Sequence, residues 1–200
     1  MIIGITGPTG SGKTTLLQMI AQAGGKILDC DAIYHDLLRT DKALLCAIEN
    51  RFPGTVKDGR LDRKLLGTTV FSDAAALQDL NRITHSAVKN EVLRQLADAP
   101  ALAAIDAIGL FEGGLAPLCD TTVAVVAPAE LRLTRLMARD NITEEYARKR
   151  ISSQHPDSWY MEKCDHTLVN DSTEAAFGCK CLAFLQQLDI MKEKRKGESL

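Results

Sequence analysis

The stretch Gly7-Pro8-Thr9-Gly10-Ser11-Gly12-Lys13-Thr14 decides the reading of this chain. It fits the spacing G-x-x-x-x-G-K-[ST]. An apolar run, Met1 to Ile5, precedes it, and a segment with Leu16, Leu17, Ile20 and Ala21 at helical spacing follows. Strand, glycine-rich loop and helix in that order make a phosphate-binding device. The glycines let backbone N–H groups turn inward around phosphate oxygens. The start of the helix offers unpaired N–H groups and the positive end of its dipole to the same anion. Lys13 is expected to reach the β- and γ-phosphates of a nucleoside triphosphate, and the Thr14 hydroxyl to ligate Mg²⁺.

Outward from that loop, strands and helices alternate. Gly24-Gly25 stops the first helix, and Lys26-Ile27-Leu28 is a second strand closed by Asp29-Cys30-Asp31. Leu44, Leu45, Ile48 and Phe52 mark a helix ended by Pro53-Gly54. Ser72-Asp73 caps a long helix carrying Leu77, Leu80, Ile83, Ala87 and Val88, which Ala99-Pro100 breaks. Further strands are expected at Ala101 to Ile105, Thr121 to Ala127 and Thr167 to Val169, with helices at about Pro128 to Arg139, Glu144 to Gln154 and Glu174 to Leu188. The strands are almost wholly apolar, as when both faces of a parallel sheet are covered. The fold class is therefore α/β: a parallel five-stranded sheet flanked by helices, with helical insertions. One domain, 1–200, is expected, with its core at about 1–31, 100–140 and 165–188. An acceptor-binding insertion falls at about 32–98 and a lid at about 139–160.

Composition narrows the class. Among 200 residues, 24 Lys+Arg face 26 Asp+Glu, a net charge of −2, and 46% of residues are hydrophobic. That excludes a disordered chain and supplies a sizeable core. No apolar run reaches the ~20 residues that span a bilayer. The N-terminus has no basic region ahead of its apolar run, so a cytoplasmic protein is expected. The balanced charge argues against nucleic acid as a partner. The six cysteines (30, 46, 119, 164, 179 and 181) are scattered without a C-x-x-C pair and are expected to be free, mostly buried thiols. Cys179-Lys180-Cys181 and Cys164-Asp165-His166 each lack the second half of a metal site. The run Lys192-Glu193-Lys194-Arg195-Lys196 reads as a frayed, solvated end.

Carboxylates and arginines suggest what receives the phosphate. Asp29 and Asp31 follow the second strand, and the carboxyl ends of parallel strands face the crevice that holds the phosphate loop. Transfer to an alcohol needs a group that accepts the hydroxyl proton, and Asp31 suits that role. Either aspartate would equally cap a helix starting near Ala32. Asp106, after the third strand, is placed for metal or substrate; Glu112 is a weaker candidate. Arg132, Arg135 and Arg139 share one helix face. Arg139, where a lid would begin, is expected to neutralise charge during transfer, whereas Arg132 is expected to be solvated.

These residues resemble the dephospho-CoA kinase family from Met1 to about Leu188. The loop Gly7 to Thr15 is similar to the family's opening, and Asp29-Cys30-Asp31 to its D-A-D motif, whose second Asp is the base. Asp58-Gly59-Arg60-Leu61-Asp62-Arg63 through Val70-Phe71 resembles its d-G-x-l-d-R-x-x-L-g…v-F stretch. Arg135-x-x-x-Arg139-Asp140, Arg150-Ile151-x-x-Gln154 and Cys164-Asp165-His166-Thr167-Leu168-Val169-Asn170 resemble its later blocks. The resemblance implies a P-loop kinase that uses ATP and Mg²⁺ to phosphorylate the ribose 3′-hydroxyl of dephospho-CoA. ATP would sit on Thr9, Gly10, Ser11, Gly12, Lys13, Thr14 and Thr15. Asp31, Lys13 and Arg139 would be catalytic. Asp29, Arg63, His85 and Asp106, with Lys89 a further basic candidate, would face the acceptor.

Two departures stand out. Ser86 replaces the proline after the histidine, and Ile108-Gly109-Leu110 replaces the family's P-L-L. They keep open a different nucleotide or small-alcohol acceptor, and a non-catalytic ATP-binding relative is a further alternative. A GTPase or transporter ATPase is disfavoured because N-K-x-D and L-S-G-G-Q are absent.

Overall fold

The computed structural model describes the backbone of residues 1–197 and the side chains of residues 1–188. Five strands form one sheet in the order β2-β5-β1-β6-β7: β1 Ile2–Thr6, β2 Lys26–Asp29, β5 Ala103–Asp106, β6 Thr121–Val126 and β7 His166–Val169. β1 pairs in parallel with β5 and β6, and β6 with β7. The helices are α1 Lys13–Gln22, α2 Cys30–Thr40, α3 Lys42–Arg51, α4 Arg63–Val70, α5 Ala74–Ala97, α6 Ala129–Asp140, α7 Glu144–Ser152, α8 Asp157–Lys163 and α9 Glu174–Gly197. A two-stranded hairpin, β3 Val56–Lys57 and β4 Arg60–Leu61, precedes α4.

The chain divides into two compact units, each with its own core. Unit 1 comprises Met1–Ile27, Pro100–Ile108 and the chain from Cys119 onward. Its core joins Ile3 and Ile5 of β1, Leu16 and Ile20 of α1, Val123 and Val125 of β6, and Phe177 and Phe184 of α9. Each such side chain contributes about 1.5–3 kcal/mol on burial. α1 ends where sequence predicts: Gly24 N–H bonds Ala21 O and Gly25 N–H bonds Ile20 O, the paired bonds of a Schellman stop. β7 is pinned to β6 by Asp165, whose carboxylate accepts from both Thr122 N–H and Thr122 Oγ1–H at 2.8 Å. Those two bonds hold the Asp165 carboxyl below its ordinary pKa.

Unit 2 comprises Leu28–Ala99 and Gly109–Leu118, so it contains the expected 32–98 insertion together with residues 109–118. Its core is Leu38, Leu44, Ile48, Phe52, Leu66, Val70, Ala76 and Leu80. Its helices begin on aspartates. Asp41 accepts from Ala43 and Leu44 N–H, Asp62 from Leu65 N–H and Asp73 from Ala75 N–H. Each cap is worth about 1 kcal/mol.

Three expectations need correction. α9 continues to Gly197 rather than ending near Leu188; the side chains of the basic run 192–196 lie outside those described. All six cysteines are free, but only Cys30 and Cys181 are buried, while Cys46 and Cys179 are exposed. Arg132 is not solvated: it is 5% exposed and pairs with Asp157 at 3.4 Å.

Candidate active site

The loop between β1 and α1 is built as its spacing demands. Gly7 has φ +133, and a Cβ there would lie 2.0 Å from Val125 O of β6, so only glycine lets the loop leave β1 against its neighbour. Gly12 has φ +97, and its missing Cβ makes room for Asn170, whose Nδ2 would lie 2.2 Å from it. Asn170 is 4% exposed and sits just past β7. Its Nδ2 donates to Ser11 O at 2.9 Å, and its Oδ1 accepts from Arg135 Nη2 at 3.2 Å. Arg135 Nη1 also donates to Gly10 O at 3.4 Å. A side chain of α6 and one just past the edge strand β7 thus take up the loop carbonyls of Gly10 and Ser11. That arrangement leaves N–H groups for an anion.

Lys13 stands in the first turn of α1 and its Nζ donates to Gly7 O at 3.0 Å, folding the ammonium back over the loop. Thr14 is exposed beside it, and its hydroxyl makes no hydrogen bond among the described residues. Thr9 and Ser11 are buried, and Thr9 N–H donates to Gln154 Oε1 at 2.9 Å. The Arg stripe of α6 divides by position. Arg132 packs beneath Gly10, Arg135 reaches the loop, and Arg139 is exposed at the helix end. Arg139 donates from Nε and Nη2 to the two oxygens of Asp140, at 2.7 and 3.0 Å. Arg150 Nη1 joins that carboxylate at 2.6 Å. These hydrogen bonds, Arg139's first, pull the Asp140 carboxyl down to about 2. Asp106 ends β5, half-buried.

In unit 2, Asp29 and Asp31 have different tasks. Asp29 is the cap of α2, its Oδ1 accepting from Ala32 N–H at 2.9 Å. Asp31 lies in the first turn of that helix, exposed, and its carboxylate makes no hydrogen bond or ion pair among the described residues. Arg63 begins α4, its Nη2 3.4 Å from His35 Nδ1. His85 and Lys89 lie half-buried on α5, Lys89 over Gly114, and Glu112 is exposed.

The structure brings residues 7–15, Arg135, Gln154 and Asn170 together within unit 1. Asn170 and Gln154 were visible beforehand only as members of resembling blocks; neither has a local pattern of its own. Among the described residues, no group of three or more His, Cys, Asp or Glu is placed to hold a metal ion. Mg²⁺ does not require one: it takes one or two protein oxygens and completes its shell with phosphate oxygens and water. The free hydroxyl of Thr14 fits that donor set.

An amide-lined loop between a central parallel strand and its helix defines a P-loop kinase fold. Shikimate kinase from Acinetobacter baumannii shares that fold, with a TM-score of 0.54 over 96% of this chain and 94% of its own at 21% identity. The chain belongs to the dephospho-CoA kinase family, whose model matches residues 1–176. It is 35% identical to the dephospho-CoA kinase of Latilactobacillus sakei, covering 86% of this chain and 87% of the relative. It superimposes on the dephospho-CoA kinase from Campylobacter jejuni with a TM-score of 0.66 at 26% identity, covering 94% of this chain and 96% of that one.

Proposed function

We propose that this protein transfers the γ-phosphoryl group of ATP to the ribose 3′-hydroxyl of dephospho-CoA, giving CoA and ADP, the last step of CoA biosynthesis. The observation that carries the reading is the loop held open by Asn170 and Arg135, in a chain whose family is named for that reaction.

In this reading Lys13 exchanges its bond to Gly7 O for the β- and γ-phosphates, placing a positive charge where negative charge accumulates. Asp31 accepts the proton of the 3′-hydroxyl. The 3′-oxygen bonds to the γ-phosphorus as the bond from that phosphorus to the β,γ-bridging oxygen breaks, and ADP leaves. The division of labour between the two aspartates supports the role of Asp31, since Asp29 is committed to the helix and Asp31 is not. Thr14 would hold Mg²⁺, which when bound offsets phosphate charge. Arg139, carried by α6 into the segment 139–160, would neutralise the transferring group once that segment closes. Arg63, His85 and Asp106 would contact the acceptor. Among the described residues no helix is long and apolar enough to cross a membrane. Six free thiols fit a reducing cytoplasm.

An ADP-release assay with dephospho-CoA, adenosine and nucleoside monophosphates as acceptors tests the reading. Turnover is expected to be fastest with dephospho-CoA. Turnover on a nucleoside monophosphate with none on dephospho-CoA would overturn it, assigning the Ile108-Gly109-Leu110 departure to a changed acceptor.

A further inference from the structure

Arg132, near the start of α6, is a buried charge to which the transfer described above gives no part. Its ion partner among the described residues is Asp157, in the first turn of α8, at 3.4 Å. The pair is loose. Nε and Nη1 of Arg132 and Oδ1 of Asp157 are all buried without a hydrogen bond. A buried guanidinium held that weakly costs stability, and well-packed apolar side chains at the two positions would cost less. Such a group calls for a reason to be charged.

Its position supplies one. Arg132 lies against the phosphate loop: a Cβ on Gly10 would meet Arg132 O at 3.0 Å and its Cα and Cβ at 3.2 Å. Asp157 follows closely on Gln154, whose Oε1 accepts from Thr9 N–H at 2.9 Å. Both ends of the pair are thus carried by chain that touches the loop at Thr9 or Gly10. The two charges do not offset each other there. The Asp157 side chain is 35% exposed and stands at the positive end of α8, so water and that helix start share its charge. The Arg132 side chain is 6% exposed, and its field passes through protein rather than water.

We propose that Arg132 is a positioning residue for the nucleotide, an incompletely neutralised positive charge behind Gly10 that draws the triphosphate into the loop without touching it. The proposal rests on the loop holding ATP. Along one face of α6, Arg132 then attracts the phosphates from behind while Arg135 fastens the Gly10 carbonyl.

The test is calorimetric ATP affinity in the presence of Mg²⁺, with the melting temperature measured alongside, on the full chain and four variants. Arg132→Met should weaken ATP binding about tenfold. Arg132→Lys keeps the charge and should lose less. Asp157→Asn removes the opposing carboxylate and should tighten ATP binding about threefold. It should also lower the melting temperature, because the buried guanidinium loses its partner. The double variant, Arg132→Met with Asp157→Leu, should melt no lower than the wild type and still bind ATP about threefold more weakly. A purely structural role predicts otherwise. Affinity would then fall wherever the melting temperature falls, in Asp157→Asn as well, and would return to the wild-type value in the double variant. Either result, or unchanged affinity in Arg132→Met, would overturn the proposal while leaving the kinase reading in place. A wild-type chain that binds no ATP would overturn both.

Discussion

Replacing Asn170 tests how the phosphate loop is held. In Asn170→Ala, Ser11 O loses its amide donor and Arg135 loses its carboxamide acceptor. Leaving one buried polar group unsatisfied costs about 1–3 kcal/mol, and a hydrogen bond to a charged group is worth about 1.5–3 kcal/mol. Allowing for partial re-solvation, the variant should lose ~2–4 kcal/mol. For a chain of this length, that lowers the melting temperature by roughly 4–16 °C. Gly12→Ala supplies the second side of a cycle. Alone it pays about 1–2 kcal/mol for a side chain at φ +97 and about 1–3 kcal/mol for the clash with Asn170 Nδ2. In the Asn170→Ala background the clash is gone and only the conformational cost remains. The two substitutions should therefore be less damaging together than their sum by ~1–3 kcal/mol. Thermal unfolding of the four proteins, with ATP affinity by calorimetry alongside, reads this directly. Strict additivity, or an Asn170→Ala protein that melts within a degree of wild type and binds ATP normally, would refute the claim that Asn170 holds the loop at Ser11 O in the space Gly12 leaves.

Lys13→Ala should abolish turnover, whereas Asp31→Asn should lose kcat by orders of magnitude with ATP affinity retained; normal turnover in Asp31→Asn would remove it as base. The Asp140 carboxyl is ordinarily near 3.8 and is held at about 2 by Arg139 and Arg150. Because its folded value is depressed, the stability it contributes is complete above about 4 and drains away as pH falls toward 2. Asp140→Asn should accordingly flatten the acid limb of a stability–pH curve. At pH 8, mass-spectrometric mapping of alkylation should find exposed Cys46 and Cys179 modified first. Desolvation pushes the half-buried Cys119 thiol up to about 12, and half-buried Cys164 and buried Cys181 up to about 11, so these three should lag; equal rates would contradict those raised values. Residues 139–160 should gain protection from hydrogen exchange when ATP and acceptor are both present, and unchanged protection would contradict closure.

What the sequence shows and what it hides have physical causes. Thr121–Val126 is a short run of mostly β-branched residues buried on both faces, so its length and residue types mark a strand although it shows no period. Gly24-Gly25 and Asp73 act through their own backbone and so punctuate the chain locally. By contrast, Asp29-Cys30-Asp31 offers two aspartates that could each cap the helix expected near Ala32, and sequence does not choose between them; the structure makes Asp29 the cap and starts α2 at Cys30. The two-residue strands β3 and β4 and the seven-residue α8 are too short to show a period. Spacing put Arg132, Arg135 and Arg139 on one face but could not say which end of that face meets the loop. Arg132 is consequently buried where solvation was expected. Asn170 acts across 159 positions on Ser11, a relation no local window contains.

The central claim is a transfer between two named atoms, and phosphorus NMR of the reaction mixture tests it most directly. With ATP, Mg²⁺ and dephospho-CoA, a new phosphomonoester signal coupled to the ribose 3′-proton is expected, growing in step with ADP. ADP accompanied only by inorganic phosphate, or a phosphate coupled to any other position of the acceptor, would contradict it.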